Sequence, residues 1–167
     1  MHCPFNNKNC KKRNQKIFLD LGKLPRVDIL LSKKDLKKKE VTKPLKIYFC
    51  KKCFLVQHPA YTDPKDIFVD DYIYYSSTVS SWVEHCKEFV NQSIKKFSLS
   101  QKSFVIEVAS NDGYLLQHFV KKNIPCLGIE PSKGVIKEAK KRGVKTINDF
   151  YNLAASKKIV KSHPKAD

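Results

Sequence analysis

Residues 104–119 read Phe-Val-Ile-Glu-Val-Ala-Ser-Asn-Asp-Gly-Tyr-Leu-Leu-Gln-His-Phe, and they constrain the fold more than any other stretch. Residues 104–109 are a short apolar run rich in β-branched side chains, the pattern of a buried strand. Ser110, Asn111, Asp112 and Gly113 follow as a turn cluster, of residue types that suit positive φ and expose backbone N–H groups. Behind them Leu115, Leu116, Phe119 and Val120 repeat at helical spacing. A strand, a tight turn and a helix N-terminus form the first unit of a doubly wound nucleotide-binding fold. Taken alone, Asn-Asp-Gly between apolar runs also fits a β-hairpin turn.

The residues downstream favour the first reading. Cys126-Leu-Gly-Ile-Glu130-Pro131 predicts a second short buried strand that ends in an acid. Helical spacing returns over residues 132–142, with Gly143 placed as the stop. Residues 145–148 predict a third strand and residues 149–160 a third helix. This β-α-β-α-β-α order argues for a parallel sheet with right-handed crossovers. Glu130, at the end of the second strand, can accept hydrogen bonds from the vicinal hydroxyls of a ribose. The turn carries one glycine and Asp112, which would repel a pyrophosphate and suits a cationic or zwitterionic ligand. That points away from a dinucleotide and towards S-adenosylmethionine, whose amino-acid end and sulfonium need no phosphate cradle. A P-loop is excluded, because no G-x-x-x-x-G-K-[ST] occurs. Cys126 reads as a small core residue.

The cysteines are Cys3, Cys10, Cys50, Cys53, Cys86 and Cys126. Cys50-Lys-Lys-Cys53 is a C-x2-C knuckle, and Cys3 with Cys10 makes a looser second pair. Four thiolates can close a tetrahedral structural zinc site with no open position for catalysis. The alternative is buried, inert cysteines plus one chance pair. Residues 17–22 and 45–49 are plausible strands between the pairs, and residues 32–43 look like an exposed charged loop. So small a unit buries little apolar surface, and a metal would staple it.

Thirty-three lysines and arginines against 16 acids give a formal net charge of +17. Such a charge suggests nucleic acid or an anionic membrane surface. Only Arg13, Arg26 and Arg142 are arginines, however, and bidentate phosphate or guanine recognition favours arginine. The scattered lysines fit a solvated surface better than dedicated nucleic-acid binding. No run is apolar and long enough to span a bilayer, and no signal-peptide core is present, so the expected location is cytoplasmic.

Residues 67–77 carry Tyr72, Tyr74, Tyr75, Ser76 and Ser77, an unusual density for a linker. The rings and hydroxyls suit a sugar or polar small molecule, or equally a packing seam. A helix is predicted over 81–97, with Trp82, Val83, Cys86, Phe89, Val90, Ile94 and Phe97 as its apolar stripe and Ser81 with Glu84 as a capping box. Cys86 reads as core, and His85 as surface or pocket rim.

The order of these motifs resembles the sugar C-methyltransferases: Cys…Cys, Phe18-Leu-Asp-Leu-Gly22, Cys50-Lys-Lys-Cys53-Phe-Leu-Val-Gln57, Tyr72-Ile-Tyr-Tyr-Ser-Ser77 and Glu107-Val-Ala-Ser-Asn-Asp-Gly-Tyr-Leu-Leu116. Those enzymes use S-adenosylmethionine to methylate a carbon of a nucleotide-linked deoxy-keto-sugar. The resemblance implies an α/β chain with a small N-terminal zinc-binding module over residues 1–66. A tyrosine-rich segment and connecting helix would follow over 67–100, and a truncated Rossmann-like class I methyltransferase domain over 101–167. It implies Zn2+ on Cys10, Cys50 and Cys53, with Cys3 as fourth ligand if the first knuckle is lengthened; Asn7 holds the position otherwise expected. Ser110, Asn111, Asp112 and Gly113 would hold the cofactor's amino-acid end, Glu130 its ribose, and Asp149 with Phe150 would border the adenine. Tyr72, Tyr74, Ser76 and Ser77 would face the sugar.

The family's sheet continues with a fourth strand, expected to begin near residue 165, and with a further domain. The general base is expected beyond residue 167, so the implied chain is an N-terminal portion, inactive alone, that a companion chain encoded downstream could complete. His85 and His118 are candidates for a base by residue type only. The competing reading is a zinc-ribbon module that binds nucleic acid or another anionic partner without catalysis, marked by steeply salt-dependent retention.

Overall fold

The computed structural model describes residues 14–167, and the chain divides into two units, Met1–Ile67 and Phe68–Asp167. In the first, β1 (Gln15–Pro25) pairs antiparallel with β2 (Thr42–Cys50), and β2 with the short β3 (Val56–Gln57). Both long strands exceed the runs expected from sequence, because the residues flanking those runs continue the ladder from Gln15↔Cys50 to Pro25↔Thr42. The register slips between Ile17 and Leu19 and again between Asp20 and Lys23. At the second slip Gly22 adopts φ +76°, and its N–H donates to Asp20 Oδ1 at 3.0 Å. Such bulges let an edge strand twist away from its partner. Residues 32–41 form a loop, exposed except for half-buried Asp35, with one 3-10 turn at Asp35–Lys37, whereas Thr42 and Lys43 of the expected loop begin β2. The unit ends in α1 (Pro64–Ile67).

The second unit is a mixed α/β layer. A 3-10 turn, Ser76–Thr78, leads into α2 (Ser80–Phe97). Then β4 (Val105–Val108), α3 (Leu116–Val120), β5 (Cys126–Ile129), α4 (Lys133–Lys141), β6 (Thr146–Ile147) and α5 (Leu153–Ser162) alternate. The strands lie in the order β4-β5-β6 and both pairings are parallel. This removes the hairpin alternative for Asn-Asp-Gly: the turn leaves β4 for a helix, and the chain returns parallel to it. Alternation along each strand builds two apolar faces. Val105 and Cys126 pack with Val90, Leu116, Phe119, Ile124, Ala139 and Val144 on one side. Ile106, Leu127 and Ile129 pack with Phe104, Ile147 and Ile159 on the other.

In α2, Cys86 and Val90 are buried, whereas Trp82, Phe89 and Phe97 from the expected stripe stay exposed. The expected capping box is not formed. Val79 is the N-cap, with no side-chain bond, and Glu84 pairs with Lys87 instead. At the free side of β4, the Asp167 N–H donates to the Phe104 carbonyl at 3.1 Å and the Phe104 N–H donates to Asp167 Oδ2 at 2.9 Å. Among the described residues no helix is long and apolar enough to cross a membrane.

Candidate functional site

The turn after β4 owes its shape to three left-handed residues. Ala109, Asn111 and Gly113 have φ of +60°, +47° and +80°. Only glycine adopts that region freely, so Ala109 and Asn111 are held by their surroundings. The Ala109 N–H reaches the Ile129 carbonyl at 2.8 Å, continuing the β4–β5 ladder into the turn. The Asn111 N–H donates to Glu130 Oε2 at 3.1 Å, and the Ser132 N–H donates to Glu130 Oε1 at 2.9 Å. Glu130 thus joins the two crossover turns at the carboxyl ends of β4 and β5, where ligands bind in parallel α/β sheets. Each of its oxygens has a second lone pair. Asn148 closes the third side, its Nδ2 donating to the Glu130 and Pro131 carbonyls at 3.1 and 2.6 Å.

Side-chain volume decides the approach of the strands. A Cβ on Gly128 would collide with Ser110 Oγ, and one on Gly113 would lie 3.0 Å from Val144 Cγ2 and 3.2 Å from Ala139 Cα. Both glycines answer to packing inside the chain.

The tyrosine-rich segment meets this turn. Asn111 Oδ1 accepts the Ser76 N–H at 2.9 Å, and its Nδ2 donates to the Tyr74 carbonyl at 3.1 Å. Asp112 is fully buried, and its Oδ2 accepts the Ser77 hydroxyl at 2.5 Å and the Ser77 N–H at 3.3 Å. The carboxylate that sequence reasoning set against a cationic ligand therefore lies against Ser77 and Arg142, with Arg142 Nη1 3.7 Å away. Tyr72 packs edge-on against Phe68, and Phe68 against Phe150. Asp149 Oδ1 accepts the Phe150 N–H at 2.8 Å. Tyr72, Tyr74, Ser76, Ser77, Ser110, Asn111, Asp112, Gly113, Glu130, Asp149 and Phe150 are thus linked through these contacts and the turns that carry them. Tyr74 is exposed; Tyr72, Ser76 and Ser77 are half-buried.

Several buried polar atoms here have no protein partner: Ser110 Oγ, Asp112 Oδ1, Ser132 Oγ and Thr146 Oγ1. Unmet polar capacity concentrated around the two crossover turns suits a polar ligand or ordered water. These atoms, with the free lone pairs of Glu130, fit the polar amino-acid and ribose groups of S-adenosylmethionine.

Sequence reasoning missed Arg142, Glu107 and Asn148. In the sequence Arg142 marks only the end of a helix. The signal was its type, one of three arginines in a lysine-rich chain, at a place that needs a planar two-armed donor. Glu107 interrupts an apolar strand run, and an acid there is rarely buried without a role. Burial pushes its carboxyl up to about 7, against the Tyr114 hydrogen bond, which pulls it down. Burial likewise raises Tyr114 and takes the Cys126 thiol to about 11, so Cys126 is a poor nucleophile at neutral pH. His118, expected by type as a possible base, is buried in α3 and its pKa is lowered by burial and by Lys121. His85 stacks on Trp82 at 5.2 Å, and Trp82 on Tyr114 at 6.2 Å.

In the first unit, Cys50 and Cys53 sit on the reversal from β2 to β3. The Cys50 carbonyl accepts the Phe54 N–H at 2.9 Å, the Cys50 N–H donates to the Leu55 carbonyl at 3.0 Å, and Phe54 takes φ +60°. Cys50 is buried and Cys53 half-buried, a small thiol-centred core with Leu55. Among the described residues no three His, Cys, Asp or Glu side chains gather as a metal site. Cys3 and Cys10 lie outside the described residues. The donor chemistry of the knuckle, two thiols on one reversal, fits half of a structural zinc site.

A family model described as "Putative zinc binding domain" matches residues 8–68. The chain is similar to a C-methyltransferase. It is 26% identical over 145 residues to C-methyltransferase NovU of Streptomyces niveus, an alignment covering 87% of this chain. The chain spans about a third of that relative's length, 34%.

Proposed function

We propose that the chain is the zinc-binding and cofactor-binding portion of an S-adenosylmethionine-dependent C-methyltransferase that acts on a nucleotide-linked deoxy-keto-sugar. Its second unit is the first half of a Rossmann-like class I methyltransferase domain, and its first is a zinc module. One observation carries the reading: Asn111 and Asp112 of the β4 turn are fastened to Tyr74, Ser76 and Ser77. A parallel sheet that held only a nucleotide would not require its phosphate-free turn to be bonded to a tyrosine- and serine-rich segment. Two reactants brought to neighbouring surfaces would.

In this reading Ser110, Asn111, Asp112 and Gly113 shape the seat of the cofactor's amino-acid end. Glu130 accepts from the ribose hydroxyls, and Phe150 beside Asp149 borders the base. S-adenosylmethionine supplies an electrophilic methyl group when bound. Tyr72, Tyr74, Ser76 and Ser77 orient the sugar so that the carbon next to its ketone faces that methyl. The general base belongs to the part of the enzyme these residues do not span, and methyl transfer needs that part. Zinc on Cys50 and Cys53, with Cys10 and Cys3, holds the first unit together and takes no part in the chemistry.

The test is a calorimetric titration of the zinc-loaded chain with S-adenosylmethionine. One site is expected, weakened at least tenfold by Glu130→Ala, which removes two charge-assisted acceptors. A folded, zinc-loaded sample that takes up no cofactor would overturn the cofactor assignment. Metal analysis is expected to find one zinc per chain, lost on Cys50→Ser.

A further inference from the structure

The segment over residues 70–77 is fastened at both ends to one helix. At the start of α4 the Gly134 N–H donates to the Asp70 carbonyl at 3.0 Å, and Lys133 Nζ meets Asp70 Oδ2 at 2.8 Å. A Cβ on Gly134 would lie 2.7 Å from that carbonyl oxygen, so the glycine permits the approach. At the other end of α4, Arg142 extends two arms. Nη1 donates to the Asp112 carbonyl at 2.8 Å and Nη2 donates to Ser77 Oγ at 2.8 Å. The Ser77 hydroxyl in turn donates a hydrogen bond to the buried Asp112 carboxylate. A carboxylate removed from water needs both donors and a compensating charge. Ser77 supplies two donors and Arg142 the charge. Lysine could not do this, because its ammonium is a point charge without the planar fork that reaches a carbonyl and a hydroxyl together.

We propose that Arg142 is a positioning residue: it locks the tyrosine- and serine-bearing segment onto the β4 turn, so that a ligand seated on the turn stiffens the segment facing the second reactant. The coupling half of this inference rests on the cofactor reading above; the locking half does not. Asp70 anchors the segment's start whether or not Arg142 is present, so loss of the arginine frees the end near Ser76 and Ser77 first.

Amide hydrogen exchange on the full chain tests it, with wild type, Arg142→Lys and Arg142→Met compared. Without ligand, Arg142→Met is expected to speed exchange of the Ser76 and Ser77 amides about tenfold, while protection in β4 and β5 stays unchanged. Arg142→Lys is expected to recover little of the loss, since one arm cannot replace two. Unchanged exchange at Ser76 and Ser77, or an equal loss across the whole sheet, would overturn the lock. Should Arg142→Met fail to fold, Ser77→Ala removes the Nη2 arm together with the hydroxyl bond to Asp112, leaves the Nη1 arm, and is expected to loosen the same amides. S-adenosylmethionine is then added. Slower exchange at Ser76 and Ser77 in wild type but not in Arg142→Met supports the coupling, and equal slowing in both removes it. If wild type does not bind the cofactor, the functional reading and the coupling fall, and the ligand-free comparison still decides the lock.

Discussion

At the scale of single residues, the site depends on a small number of side chains with no room for alternatives. Gly128 is the sharpest. A Cβ there collides with Ser110 Oγ and comes within 2.9 Å of Ser110 Cβ, both in a fully buried side chain. Gly128→Ala is expected to cost about 1–3 kcal/mol, seen as a lower urea midpoint with an unchanged slope. Glu107 gives a pH signature. Burial raises its carboxyl from 4.5 to about 7 in the folded chain. A raised acid adds stability fully present below its unfolded value and lost as pH rises through the folded one. Relative to Glu107→Gln, the wild type should therefore lose of order 3 kcal/mol between about pH 4.5 and pH 7 and little beyond. Urea midpoints of both proteins across that range measure it, and parallel profiles would mean that Glu107 does not titrate in this window. The sequence showed Glu107 as an acid in an apolar run, but not that Tyr114 would be its partner. That partnership depends on the turn between them folding back.

At the scale of elements, periodicity was a good guide wherever a segment packs against the sheet. Residues 126–131 and 132–142 became β5 and α4 nearly as read, because Leu127, Ile129, Val135 and Ala139 are all buried. Where packing does not discipline the ends, the reading drifted. The predicted last helix began at residue 149, yet α5 begins at Leu153. Asp149 turns back to bond the Phe150 N–H, and Asn152 caps the helix with its Oδ1 accepting the Ala155 N–H at 3.0 Å. Asn152→Ala is expected to destabilise the second unit by about 1 kcal/mol, whereas Asn152→Ser should be nearly neutral. Thermal melts of the two variants distinguish capping from any other role. For α2 the capping-box pattern was present and unused, since the chain enters that helix from the Ser76–Thr78 turn, which puts Val79 at the cap. Three large apolar residues of its stripe, Trp82, Phe89 and Phe97, are still exposed, so a helical stripe in sequence is not proof of a buried face.

At the scale of the whole molecule, two units carry two kinds of stability. The first has one fully buried apolar residue among those described, Cys50, and exposes Phe18, Leu21 and Val27. The second has two apolar clusters, one on each face of its sheet. With zinc in the first unit as proposed above, a strong chelator should lower the unfolding temperature of that unit and leave that of the second unchanged. Tryptophan fluorescence from Trp82 reports the second unit alone, and circular dichroism reports both. A common shift in the two signals would mean that the units unfold together. Sequence by itself determined the order of elements from β4 to α5, the parallel crossover after β4 and the C-x2-C knuckle. Each follows from local chemistry: side-chain period, turn residues, and thiols three positions apart. Only the tertiary structure decided what Asp112 faces, why Gly128 is glycine, and that Arg142 reaches both Asp112 and Ser77. Those depend on residues that are 18 to 65 positions apart in sequence and meet only through the packing of the second unit. No local pattern encodes such a meeting, because the burial that gives it meaning exists only once the sheet has formed.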